Sequence, residues 1–223
     1  MSAPPCTDPR TVVLFGGTFD PPHRAHVAQA MVAAQRLGAE EVVFIPNASN
    51  PQKTDTAPTP AHHRLAMLEL ALEGHPRASI SRVELDHPGP SYTVDTLRRL
   101  VREPSLAGAR LRLLIGADQA LNFTTWKDWE AIEQMAEPVV MPRPPHTHDR
   151  LLAEYEVFYP ETSDQWARRT LDMPVLEGCS TDLRPMIAAG RSLAGLLDPA
   201  VEGYVRRHRL YGWSDPTATI EAS

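Results

Sequence analysis

The sequence predicts an α/β protein: a Rossmann-like, doubly wound parallel sheet with a small helical C-terminal part. Three observations carry this expectation. Short β-branched and apolar runs, TVVLF at 11–15, EVVFI at 41–45 and LRLLI at 111–115, each stop at a glycine or proline. Segments with apolar residues at helical spacing lie between them. No internal repeat or domain-scale linker interrupts the alternation, and strands alternating with helices form parallel sheets covered on both faces by right-handed crossovers.

Taken in order, Thr11 to Phe15 reads as a buried strand closed by Gly16 and Gly17. Val27, Ala30, Met31, Ala34 and Leu37 give the helical period over His26 to Leu37, and Gly38 is its stop signal. Glu41 to Ile45 is the second strand. Asn47 to Pro60 is polar and proline-rich, a loop long enough to serve as a lid or binding loop. Then come a helix over Ala61 to Leu72, a strand over Ser79 to Leu85 and a helix over Tyr92 to Arg102. A strand at Leu111 to Ile115, a helix over Trp126 to Met135 and a short strand at Pro138 to Met141 follow. Pro142 to Met173 has no clear period and reads as irregular. Beyond it the sequence predicts a strand near Val175, a helix over about Thr181 to Ala189 and another over Pro199 to His208. Residues 1–10 read as an N-terminal extension, 11–212 as one domain whose part from 181 is helical, and 213–223 as a tail.

Composition narrows the function. The chain has 223 residues, 42% hydrophobic and 22% charged, enough to bury a large core and too apolar for general disorder. No apolar run approaches the ~18 residues of a bilayer-spanning helix. Met1 to Arg10 holds three prolines and no apolar core of a secretory signal. With 22 basic against 28 acidic residues the net charge is −6, which argues against a nucleic-acid binder but leaves room for a small anionic ligand in a local positive pocket. Two cysteines, Cys6 and Cys179, make neither a disulfide framework nor a zinc quartet, and a reducing cytoplasm is the simplest home.

Ligands of open α/β sheets bind at the carboxyl ends of strands, where the strand order reverses. The first strand here runs into GGTFDPPHRAH, residues 16–26. Glycines let backbone amides approach a phosphate, the prolines fix the turn, and a helix N-terminus adds free N–H groups and partial positive charge. His23 and His26 stand three apart, on one helix face. The same features also suit a purely topological turn, two surface histidines or two-thirds of a metal site. The segment has neither the GK[ST] ending of a P-loop nor the GxGxxG spacing.

GGTFDPPHRAH resembles the GxFxPxHxGH signature of the nucleotidyltransferase superfamily whose hallmark is HxGH. Further blocks resemble its bacterial nicotinate-nucleotide adenylyltransferase branch: IPNASNPQK at 45–53, SYTVDTL at 91–97, GADQALNFTTWKDW at 116–129 and MPRP at 141–144. CSTDLR at 179–184 resembles the superfamily's ISSTxxR, and the ending DPAVEGYVRRHRLYG also fits the branch. The blocks stand in family order across residues 11–212.

The resemblance implies transfer of AMP from ATP to nicotinate mononucleotide, with pyrophosphate released, in NAD biosynthesis. Mg²⁺ is expected to come with ATP, held by phosphate oxygens and water rather than by a protein cage. By resemblance, His23, His26 and Arg184 would be the catalytic residues. Gly16, Gly17, Thr18, Phe19, Gly116, Asp118, Arg143 and Ser180 would bind ATP. Asn47, Lys53, Tyr92, Thr93 and Trp126 would bind the acceptor, Trp126 stacking on the pyridine and the Tyr92–Thr93 amides receiving its carboxylate. Trp129, on the same expected helix, would be the tryptophan of the core. Arg184, expected in the first turn of its helix, would sit there as a cation facing an anion. No nucleic acid or membrane partner is implied, and a homo-oligomer is one option among several.

Three departures stand out. Ala25 replaces the HxGH glycine, Cys179 stands where ISST has its first serine, and Gln52 stands where the branch often has histidine before the lysine. A sister enzyme, such as a pantetheine-phosphate adenylyltransferase or a cytidylyltransferase, and a nucleotide-binding regulator without turnover are the rival readings. The scattered histidines, lacking cysteine partners, speak against a metal-binding module.

Overall fold

Val12, Val13, Leu14 and Phe15 are all buried, so the first strand must be covered on both sides, the usual state of a parallel sheet. The computed structural model describes residues 8–48, 57–87, 89–176 and 178–214. The elements follow as β1 (Thr11–Gly17), α1 (Arg24–Arg36), β2 (Glu41–Pro46), α2 (Ala61–Leu72), β3 (Ala78–Ile80), α3 (Thr93–Leu100), β4 (Arg110–Gly116), α4 (Ala117–Ala120), α5 (Trp129–Met135), β5 (Glu137–Met141), α6 (His148–Phe158), α7 (Ser163–Arg169), α8 (Ser180–Ala188) and α9 (Pro199–Arg207). The strands form one parallel sheet in the order β3-β2-β1-β4-β5. Its order reverses between β1 and β4, which puts a crevice at the carboxyl ends of those strands.

Alternate strand residues feed two apolar layers. Val12, Leu14, Val43, Ile45, Leu113 and Ile115 face one layer with Leu97 of α3, Ile132 of α5, Tyr155 of α6 and Trp166 of α7. Val13, Phe15, Val42, Phe44 and Leu114 face the other with Val27, Ala30 and Ala34 of α1 and Leu68 of α2. The alanines on α1 are good helix formers and let it lie close to the sheet. A third cluster joins Leu183 and Ile187 of α8 and Val201 and Val205 of α9 to Met67 of α2, which hangs the C-terminal helices on the edge of the doubly wound core. Among the described residues no helix is long and apolar enough to cross a membrane.

Four expectations need correction. β3 ends at Ile80 rather than Leu85, because the chain turns at once, with Asp86 N–H bonded to Arg82 O. Trp126 is outside α5: it follows a 3-10 turn at Phe123–Thr125 in extended conformation, and the helix starts at Trp129. The stretch read as irregular contains α6 and α7, whose buried Leu151, Tyr155 and Trp166 are too sparse among charged residues to reveal a period. Among the described residues no strand forms near Val175; Thr170 instead bridges Val140 beside β5, and Leu171 N–H bonds Val140 O.

Phe123 is fully buried, with Trp126, Trp166 and Trp129 at ring-centroid distances of 5.3, 5.4 and 6.4 Å. Phe123→Ala removes the shared floor of these rings and is expected to cost about 3–5 kcal/mol, read as a lower urea midpoint at unchanged m-value.

Candidate active site

The turn after β1 is organised by its two histidines. His23 is the N-cap of α1; its Nδ1 accepts from His26 N–H at 3.4 Å, and His26 Nδ1 accepts from His23 N–H at 3.2 Å. Each ring therefore uses Nδ1 as an acceptor, which leaves the proton of the neutral imidazole on Nε2 as a donor. The rings stack with centroids 3.6 Å apart. Phe19 holds His26 edge-on at 5.2 Å, and Phe15 packs behind both. Phe19 is itself 1% exposed, so what it can offer a ligand is backbone, not ring. Burial, and secondly the Arg143 charge, lowers the pKa of His23 to about 4.

The carbonyls of the same turn are strapped down. The buried Arg64 of α2 donates to Thr18 O and Thr59 O, both at 2.8 Å. Ser180 Oγ donates to Pro21 O at 2.9 Å, and Arg184 Nη1 to Asp20 O at 3.0 Å. The Asp20 carboxylate accepts from Thr59 N–H at 3.1 Å and from Tyr211 O–H at 2.7 Å. α8 begins one residue earlier than the sequence predicts, at Ser180. That puts Arg184 fifth in the helix instead of in its first turn and makes Cys179 an N-cap with no side-chain bond. The α8 N-terminus thus lies against the histidine turn with uncapped amides.

Ala25 is accommodated by its neighbour across this junction. A Cβ placed on Gly178 would lie 3.1 Å from Ala25 Cβ and 3.2 Å from the His23 ring, and Gly178 has φ +150°. Gly178 leaves empty the space that the alanine methyl fills.

The ends of β4 and β5 close the other wall. Asp118 forms an ion pair with Arg143, and both are about half exposed. A Cβ on Gly116 would lie 2.9 Å from Asp118 Oδ1 and 3.0 Å from Arg143 Nε, so a side chain there would force this pair to shift. β4 pairs in parallel with β1, which brings this wall beside the turn after β1, and the Arg143 charge is felt at His23. Gly16 and Gly17 end β1 between the walls.

A second group gathers beyond β2. Asn47 N–H bonds Gly17 O at 3.0 Å and its side-chain amide reaches Thr18 Oγ1 at 3.4 Å, while its Oδ1 is buried without a partner. Ala48 N–H bonds Ser91 Oγ at 3.2 Å. Tyr92 is the N-cap of α3 and Thr93 its first residue, and no side chain caps them. Lys127 ties this turn to the Trp126 segment: its Nζ lies 4.6 Å over the Tyr92 ring and 2.9 Å from Asp95. Trp126 Nε1 is buried without a partner. Both Trp126 and Trp129 are only partly buried and pack on the core, so the core role is not reserved for Trp129. Lys53 lies outside the described residues.

The described structure therefore gathers His23, His26, Gly16, Gly17, Thr18, Phe19, Gly116, Asp118, Arg143, Ser180 and Arg184 around the reversal point, and Asn47, Tyr92, Thr93 and Trp126 next to it. Sequence reasoning missed Arg64, Tyr211, Gly178 and Glu84. Burial raises the pKa of Glu84, opposed by a bond from Thr96 at 2.7 Å beneath the Ser91 turn. An arginine inside a helix's apolar stripe was a usable signal for Arg64; nothing local marks Tyr211. Among the described residues no group of three or more His, Cys, Asp or Glu is placed to hold a metal.

The cytidylyltransferase-like family model matches residues 14–181. A protein of Symbiobacterium thermophilum named "Probable nicotinate-nucleotide adenylyltransferase" is 40% identical over 204 residues, 90% of this chain and 94% of the relative. One of the same name from Bordetella petrii is 38% identical, covering 91% and 99%. The chain belongs to the cytidylyltransferase-like family, in its nicotinate-nucleotide adenylyltransferase branch. The fold agrees: the nicotinic acid mononucleotide adenylyltransferase of Plasmodium falciparum, solved with NaAD, superposes at TM-score 0.72 with 15% identity over 92% of this chain and 98% of that one. The chain is thus a family member with the doubly wound sheet expected of it.

Two tests follow from this geometry. For His23, a pKa of about 4 in the folded chain against the usual 6.5 means that the unfolded chain binds the extra proton first. Its contribution to stability is fully present above about 6.5 and is lost as pH falls toward about 4. Denaturant titrations from pH 7 to 4.5 should show that loss, with a shallower acid slope in His23→Asn. Gly178→Ala should destabilise by about 1–3 kcal/mol through overpacking and backbone strain, and Ala25→Gly should recover part of it in the double mutant.

Proposed function

We propose that the chain joins nicotinate mononucleotide to the AMP part of ATP, giving nicotinate adenine dinucleotide and pyrophosphate. The reading rests on family membership across the chain's length and on one structural observation: the stacked His23–His26 pair at the reversal of the sheet, with both Nδ1 atoms accepting from the turn's own backbone.

An oxygen of the acceptor's 5′-phosphate, already ionised, attacks the ATP α-phosphorus. The new P–O bond forms as the bond to the β-phosphate oxygen breaks, and the electron pair leaves with pyrophosphate. No base and no covalent enzyme intermediate are needed, so catalysis is in-line positioning and charge stabilisation. The histidine Nε2–H groups donate to phosphate oxygens as charge shifts from the α- to the β-phosphate, a role that requires no proton transfer. The α8 amides, Ser180 and Arg184 receive the leaving β- and γ-phosphates. Gly16 to Phe19 offer backbone to the donor nucleotide, and Gly116, Asp118 and Arg143 bind its ribose side. Mg²⁺ accompanying ATP would be held by phosphate oxygens and water and would supply charge neutralisation there.

On the acceptor side, the uncapped amides at Tyr92 and Thr93 receive the nicotinate carboxylate at the positive end of α3. Trp126 supplies a rigid aromatic face for the pyridine, Asn47 adds to the acceptor site just beyond β2, and Lys53 is assigned to the acceptor on family resemblance alone.

With ATP and a panel of acceptors, pyrophosphate release should be fastest with nicotinate mononucleotide and slow with phosphopantetheine. His26→Ala should lower kcat about a hundredfold or more with the circular dichroism spectrum unchanged, and Trp126→Ala should mainly raise the acceptor KM. Turnover confined to phosphopantetheine, or a His26→Ala variant near wild-type rate, would overturn the assignment.

A further inference from the structure

Asp20 sits between two arginines and pairs with neither. It is 7% exposed. Its charge opposes the burial effect that lowers the pKa of Arg64, so that guanidinium is close; Arg184 Nη1 touches Asp20's own carbonyl oxygen at 3.0 Å. A desolvated carboxylate beside a guanidinium ordinarily takes it in a charge-assisted, often bidentate, bond. Among the described residues neither arginine forms an ion pair with Asp20. Each carboxylate oxygen already accepts one bond: Thr59 N–H donates to Oδ2 at 3.1 Å, and the Tyr211 hydroxyl donates to Oδ1 at 2.7 Å, which lessens the pull of Asp20 on either guanidinium.

Tyr211 comes from the far end of the chain. It lies in the 3-10 turn Leu210–Gly212 with φ +58°, a left-handed conformation uncommon for a bulky residue. Its ring packs with the α8–α9 cluster while its hydroxyl reaches the histidine turn, 191 residues away in sequence. Burial first, and the bond to Asp20 second, raise the tyrosine pKa well above the usual range, so the hydroxyl stays a donor. The Arg184 charge is felt at that same hydroxyl. Arg184 is therefore within the field of this pair, yet holds only a backbone carbonyl and, at 3.4 Å, Thr181 Oγ1.

We infer that Tyr211 is a positioning residue for the polyphosphate: by filling the Asp20 oxygen that would otherwise capture Arg184, it keeps that guanidinium available to the leaving pyrophosphate. Without the hydroxyl, Asp20 has an unfilled buried oxygen, an acceptor that is costly to leave unsatisfied, and Arg184 is a partner at hand. The inference rests on the transferase reading for Arg184, and its test is arranged so that the two fail separately.

The experiment measures pyrophosphate binding by calorimetry, together with KM for ATP and for the acceptor, in wild type, Tyr211→Phe and Tyr211→Phe/Asp20→Asn. Tyr211→Phe keeps the ring and its packing. It should weaken pyrophosphate binding and raise the ATP KM about tenfold, the size of one charge-assisted bond, while acceptor KM and Tm move little. Adding Asp20→Asn removes the charge that captures Arg184, so the double variant should return to within about threefold of wild type, a repair that simple loss of packing would not allow. An ATP KM unchanged in Tyr211→Phe, or a double variant no better than the single one, would sink the inference. Wild-type protein inactive with ATP would instead count against the transferase reading, while the calorimetric comparison would still judge Tyr211.

Discussion

The reciprocal cap between His23 and His26 does three jobs with two hydrogen bonds. It terminates α1, so that the helix begins in the turn where an anion would rest. It commits one nitrogen of each ring as an acceptor, which settles the tautomer of the neutral imidazoles. It also holds the rings face to face, in an environment where burial keeps His23 neutral at ordinary pH. Ordinary capping uses a short polar side chain for the first job alone. Here the capping groups are also the donors, so the same two side chains serve helix geometry and site chemistry.

The surrounding structure serves to keep that turn still. Residues 18–21 carry carbonyls in a crevice where few backbone partners are at hand, and unpaired buried carbonyls are costly. α2 supplies Arg64, α8 supplies Ser180 and Arg184, and the C-terminal turn supplies Tyr211. The helical C-terminal part therefore does more than cover α2. It reaches across the edge of the sheet to brace the segment between β1 and α1, and it brings an uncapped helix N-terminus with it.

Much of this was legible in the sequence because the governing signals are local. β1, β2, β4 and β5 announce themselves as apolar runs closed by glycine or proline, and α2 has the residue range its period predicts. The histidine pair was legible because three residues of spacing on a helix already dictate contact. What escaped was set by distance in sequence. α6 and α7 are amphipathic only through a few large side chains that meet Phe123 and the end of α4, and no window of their own sequence shows that. Trp126 leaves its expected helix because Asp128, in a left-handed conformation, begins α5 beyond it. Tyr211 looks like any tail aromatic until the fold sets it beside Asp20.

Gly178 and Ala25 come from segments that meet only after the third layer docks, and between them they share one methyl's worth of space. The order in which a lineage could acquire them is then not arbitrary. A methyl gained at position 25 while a side chain still stood at 178 would press on the histidine cap at once. Loss of the side chain at 178 first would leave a small void that a later alanine could fill without penalty. The junction makes the order of sequence change matter: with the alanine in place, a return of bulk at 178 is penalised, and two segments far apart in the chain constrain one another.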